Sequence, residues 1–193
     1  MDLLIKQARI KDGEPLQDVA IENGKIIEIA PQISGEAQEV IEANGRVLIP
    51  GLVESHIHLD KALIADREPN KSGTLQEAIQ VTAKLKPTFT EEDIYERAKK
   101  ALEMIISHGA TAVRTHAEFD PAQGFTGFNT IMKLKEEYKE LIDMQVVAFP
   151  QEGIFKAPGT EAMMYEAMEM GADVVGGIPY NDAPANEHID LIF

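Results

Sequence analysis

From Gly51 onward, apolar runs of strand length alternate with stretches of helical period, and this alternation constrains the fold more than any other feature. The apolar runs are "GLVESHIH", "TAVRTHAEF", "MQVVAFPQ" and "ADVVGGIPY". Between the first two lie "TLQEAIQVTAKLK" and "TEEDIYERAKKALEMIISHGA". Thr74 followed by Glu77 reads as a capping box, with Leu75, Ala78, Ile79, Thr82 and Leu85 along one face. Acids crowd the first turn after Thr90, Ile94, Ala98, Leu102 and Ile105 form a stripe, and Gly109 ends the helix. Later helices are predicted at "NTIMKLKEEYKELI" and "TEAMMYEAMEM", whose methionines read as packing residues.

Near-continuous apolar strands indicate sheet faces covered by helices, and the alternation predicts right-handed βαβ units around a parallel sheet. A doubly wound sheet usually carries a glycine-rich turn after its first strand, where this chain has "ESHIHLDK". A (β/α)8 barrel is therefore expected. Only four such strands follow Pro50, whereas a complete barrel needs about 250 residues. The barrel over residues 51–193 is thus expected to be incomplete, with "NEHIDLIF" reading as a helix cut off early and His188 on its surface.

Residues 1–50 read as β structure forming a small separate domain, a twisted sheet or a β-sandwich. Asn23-Gly24 divides two alternating runs and suits a type I′ hairpin, and Asn44-Gly45 is expected to lead into another strand.

With no cysteine in the 193 residues, the chain has neither disulfides nor thiolate metal sites, so a transition metal must be held by histidine and carboxylate. A net charge of −15 disfavours nucleic acid as a partner. No stretch approaches the roughly 18 apolar residues of a membrane span, and "MDLLIKQARIKDG" is too charged for a signal peptide. A cytoplasmic location is expected.

His56 and His58 are one residue apart, so on a strand they share a face about 6–7 Å apart. Ile57 and Leu59 would face the helices. At the carboxyl end of the first barrel strand, the histidines would open into the mouth where barrel active sites lie. Type and spacing leave two readings open: metal ligands, or polar residues satisfied at a strand end. Two ligands alone are fewer than the three a catalytic zinc usually takes. Arg114, His116 and Glu118 share a face of the second strand, where His116 could meet substrate, support a metal shell or be a hydrogen-bonded structural histidine. Gln151 and Glu152 end the third strand, and Asn181 and Asp182 the fourth. An amide side chain suits the –NH–C(=O)– edge of a heterocycle. His108, at a helix C-terminus, is expected to make a dipole contact.

"VLIPGLVESHIHLDKAL" resembles the opening barrel strand of the amidohydrolase superfamily, and "AVRTHAEFD", "QVVAFPQEGIF" and "GADVVGGIPY" resemble its cytosine deaminase branch. The match covers about the first half of such a protein. It implies a metal-dependent hydrolase barrel with one divalent ion, iron or zinc, whose first ligands fall on His56 and His58. The remaining ligands and the groups that handle the attacking water have no counterpart in these residues, so no catalytic residue is assigned, and the chain alone is expected to be inactive. Gln151 matches the family glutamine that binds the pyrimidine ring edge; His116, from its place on the second strand, is assigned as a second substrate-binding residue. The implied reaction is hydrolytic deamination of a small nitrogen heterocycle by a metal-activated water, with release of ammonia. A related cyclic amide or triazine hydrolase is the alternative. Binuclear relatives carry a bridging lysine after the fourth strand; "DVVGGIPYND" has none, and Lys61 lies elsewhere, so a mononuclear site is expected. Open strand edges further suggest a homo-oligomer.

Overall fold

The computed structural model describes residues 1–193, which form two compact units, Met1–Pro50 and Gly51–Phe193. In the first, β1 (Leu3–Ala8), β2 (Gln17–Glu22), β3 (Lys25–Ala30) and β4 (Glu39–Glu42) make one sheet in the order β3-β2-β1-β4. β1 pairs antiparallel with β2 and parallel with β4. Asn23 and Gly24 both have positive φ, 51° and 70°, as the β2–β3 hairpin turn requires.

These fifty residues contribute one four-stranded layer, and a second layer of the expected sandwich is not among them. Their core is small, built on Leu4, Ala20 and Ile33, and Ile26, Ile27 and Ile29 of β3 remain exposed. The strand expected after Asn44-Gly45 is also absent. β4 already occupies the free edge of β1 from Leu3 to Lys6. Residues 46–48 make one isolated parallel bridge with Arg9, through Arg9 N–H to Arg46 O and Leu48 N–H to Arg9 O.

The second unit runs β5 (Leu52–Ile57), α1 (Leu75–Leu85), α2 (Glu91–Ser107), β6 (Ala110–Glu118), α3 (Thr126–Glu137), β7 (Asp143–Phe149), α4 (Thr160–Glu169), β8 (Val174–Val175) and α5 (Ala185–Ile192). Its four strands are parallel and adjacent in chain order, β5-β6-β7-β8. A barrel sheet grows by this sequential addition, whereas a doubly wound sheet reverses order at its switch point.

The strand faces have distinct roles. Val113 and Ala117 of β6 and Met144, Val146 and Ala148 of β7 are buried with Ala98 and Leu102 of α2 and Phe128, Ile131 and Leu134 of α3. Full burial of each large apolar side chain contributes roughly 1.5–3 kcal/mol. This shared core holds the helices on one side and leaves the alternate residues, including Arg114, His116, Glu118 and Phe149, for the other. Thr74 and Thr90 cap α1 and α2 by accepting from Glu77 N–H and Asp93 N–H. The expected capping box at Thr74 is incomplete, because the Glu77 carboxylate takes the Ser72 N–H instead.

β8 is shorter than its apolar run, and His188 accounts for this. His188 is buried, contrary to the surface position expected of it. Its Nε2 accepts the Ile178 N–H at 3.0 Å, and its Nδ1 pairs with Asp182 Oδ2 at 2.7 Å. A β-carbon at Gly177 would lie 2.6 Å from that Nε2, so only glycine admits the ring.

Candidate metal centre and ring-binding cleft

His56 and His58 emerge at the end of β5 on the face away from the helices. Leu59, on the opposite side, is fully buried in the core, and Ile57 packs against it. The two imidazole centroids are 5.5 Å apart with planes inclined at 59°. His116 of β6 joins them, 4.1 Å from His56 and 5.2 Å from His58. Phe149 of β7 meets His58 and His116 edge-on at 5.3 Å. One ligand atom from each histidine lies within 4.8 Å of the other two.

The donor set fits a divalent cation. Nδ1 of His58 and of His116 are buried without a hydrogen-bond partner. Burial, aided by the charge of Lys61 and the neighbouring histidines, pulls the His58 pKa down to about 3. Burial and His56 lower that of His116. Neutral imidazole is the form that binds metal. The histidines are not equivalent, however. His116 stacks on His56 with only 22° between planes, so one ion cannot lie well in both ring planes. The tilted pair His56 and His58 can converge on one ion, with His116 supporting the His56 ring.

Behind the histidines lies a buried charge cluster that sequence reasoning missed. Lys61 forms an ion pair with Glu118 and donates to Gln151 Oε1 at 3.0 Å. Lys86, in the turn after α1, contacts Glu118 at 3.1 Å, Asp120 at 3.2 Å and Glu152 at 2.6 Å. Asp60 accepts the Glu118 N–H at 3.0 Å, and burial raises its pKa. Burial lowers the pKa of Lys61 to about 8. The contiguous "HLDK" carried the signal for Asp60 and Lys61; Lys86, 25 residues further along, carried none.

A cavity of about 170 Å³ opens beside the centre. His58, Lys61, Glu118, Gln151 and Glu152 form its polar wall, and Leu75, Ala78, Ile79 and Ala83 of α1 its apolar one. Gln151 and His116 thus stand on the same side of the sheet as the metal candidates. Other polar candidates lie apart in role. Arg114 donates to Gln145 Oε1 at 3.0 and 2.8 Å. Asp182 accepts from the N–H groups of Ile154, Phe155, Lys156 and Ala183, and Asn181 donates to Gln151 O. Both shape the loop that carries Gln151. His108 makes the expected helix-end contact, with Nδ1 2.7 Å from Met104 O.

A parallel sheet in sequential order, with histidines at its carboxyl end, is the frame of a barrel hydrolase. The chain belongs to the amidohydrolase family, whose model matches residues 39–180. Among curated proteins it is 32% identical to N-isopropylammelide isopropyl amidohydrolase of Pseudomonas sp. (strain ADP), over 92% of this chain and 45% of that protein. Among solved structures it resembles 5-methylcytosine deaminase from Klebsiella pneumoniae liganded with phosphonocytosine. That match has TM-score 0.88 and 38% identity, covering 98% of this chain and 47% of the other. N-isopropylammelide isopropylaminohydrolase from Burkholderia multivorans superposes with TM-score 0.85 and 28% identity, covering 100% of this chain and 50% of the other. The chain spans about half the length of the relatives it matches.

Proposed function

We propose that this chain supplies the first half of the active site of a mononuclear, metal-dependent aminohydrolase acting on a small nitrogen heterocycle. The observation that carries the reading is the convergence of three imidazoles, with Nδ1 of His58 and of His116 buried and free of hydrogen bonds, beside a cleft that holds an amide side chain. The likeness to a cytosine-type deaminase and to ammelide hydrolases supports an aminopyrimidine or aminotriazine as substrate.

His56 and His58 are assigned as ligands to one iron or zinc ion, in a barrel whose complete form has eight strands and a small β domain beside it. Such an ion, when bound, lowers the pKa of water toward about 7 and so supplies a nucleophile at neutral pH. His116 stacks on the His56 ring, on the same face of the sheet as the cleft, where a second substrate contact is proposed for it. Gln151 binds the ring edge and sets which carbon faces the nucleophile, a positioning effect that can outweigh many direct contacts. Glu118 and Lys61 hold the floor of the cleft through their ion pair.

Metal content and turnover of variants of the enzyme separate these roles. His58→Ala is expected to lose the ion and ammonia release together. Gln151→Ala is expected to keep the ion while kcat/KM falls about 100-fold, in line with a lost orienting contact. Loss of metal from Gln151→Ala, or full metal retention in the double variant His56→Ala/His58→Ala, would overturn the assignment.

A further inference from the structure

Gln151 is held at both ends of the residue. Asn181 Nδ2 donates to its backbone carbonyl at 2.8 Å, and Lys61 Nζ donates to its side-chain Oε1 at 3.0 Å. A lysine ammonium has donors and no acceptor, so the amide atom facing it must be the oxygen. Lys61 itself is tethered by its ion pair with Glu118, and both line the cavity that Gln151 borders. No protein acceptor takes the Gln151 Nε2, which leaves two N–H donors as the end free for a ligand. An untethered amide would flip to present either end at little cost; this one is locked.

We infer that Lys61 is a positioning residue that sets substrate choice. Its hydrogen bond fixes the Gln151 amide with Nε2 toward the ring, so the site selects heterocycles presenting a carbonyl oxygen there over analogues presenting an amino group. The inference rests on the proposed function, since it assumes that a ring occupies this cleft. The remaining lone pair of Oε1 can still accept from an adjacent ring N–H, which matches an –NH–C(=O)– edge in one order only. A 2-amino group in place of the carbonyl would set donor against donor. Such a mismatch in a partly desolvated site lowers affinity on the order of ten- to hundredfold.

The test uses two rings without a leaving amino group at the reacting carbon, pyrimidin-2-one and 2-aminopyrimidine, titrated calorimetrically into the metal-loaded enzyme. Wild type is expected to bind pyrimidin-2-one at least about tenfold more tightly. Lys61→Met frees the amide and should bring the two affinities within about threefold, whereas Lys61→Arg, which restores a donor, should recover much of the preference. A merely structural lysine would weaken both rings alike and leave their ratio unchanged. An unchanged ratio in Lys61→Met, or equal affinities in wild type, overturns the inference and leaves ring hydrolysis standing. Wild type that binds neither ring overturns the proposed function, and the inference with it.

Discussion

At the scale of single residues, burial decides what each polar group does. His58 and Asp182 both sit among buried neighbours, yet their surroundings differ. Asp182 resists the upward push of burial because His188 and the N–H groups of Phe155, Ile154 and Lys156 hold its carboxyl well below the usual range. Every acceptor position there is used, which marks a structural group. His58 Nδ1 has no hydrogen-bond partner, which suits the ligand role proposed for it. Asp182→Ala should therefore destabilise the fold by about 3–4 kcal/mol in a denaturant titration, by stranding several buried N–H groups. A loss under 1 kcal/mol would show that water replaces the carboxylate. The histidine pair was legible in the sequence because strand period alone puts His56 and His58 on one face. The role of His188 was not, because nothing in "NEHIDLIF" signals that Asp182 and the Ile178 amide will meet it in the core.

At the scale of elements, caps and turns were readable while strand ends and pairings were not. Thr74, Thr90 and Asn23-Gly24 act within a few residues, so local chemistry determines them. The end of β8 and the missing strand after Gly45 depend on which distant group claims an amide, information spread over the chain. The segment between β5 and α2 shows the same split. Arg67 donates to Asp93 near the start of α2, and Arg97 holds Asp93 Oδ2 at 2.9 Å while reaching the carbonyls of Asp60 and Ala62. The Arg67 hydrogen bond leads the effects that lower the Asp93 pKa to about 2. A carboxylate with a depressed folded pKa stabilises above its unfolded value, about 3.9, and the contribution fades as pH falls toward 2. Because the pair is partly exposed, its worth is about 1 kcal/mol or less. Stability measured between pH 5 and pH 2 should fall less steeply in Arg67→Ala than in wild type. Identical slopes would remove Asp93 from the acid response.

At the scale of the whole molecule, the parallel sheet has two unpaired margins, at β5 and β8. Leu52 and Val53 of β5 are 51% and 66% exposed, an apolar edge that soluble sheets normally cover. We expect the 193-residue chain alone to self-associate, with sedimentation equilibrium showing concentration-dependent mass and Val53→Lys shifting it toward monomer. A clean monomer at all concentrations would argue against exposed-edge association. No helix is long and apolar enough to cross a membrane. The parallel sheet in chain order was visible in the succession of elements, because periodicity reports burial directly. The charge cluster of Lys61, Lys86 and Glu118 was not, since it draws on three separate stretches that only the sheet brings together. The proposed role of His56 and His58 in holding a catalytic ion for ring deamination is tested on the enzyme stripped by a chelator and refilled with iron or zinc. Ammonia release from a panel of aminopyrimidines, aminopurines and aminotriazines should vanish on stripping and return with one ion per site. Release that survives complete metal removal would rule out a catalytic ion.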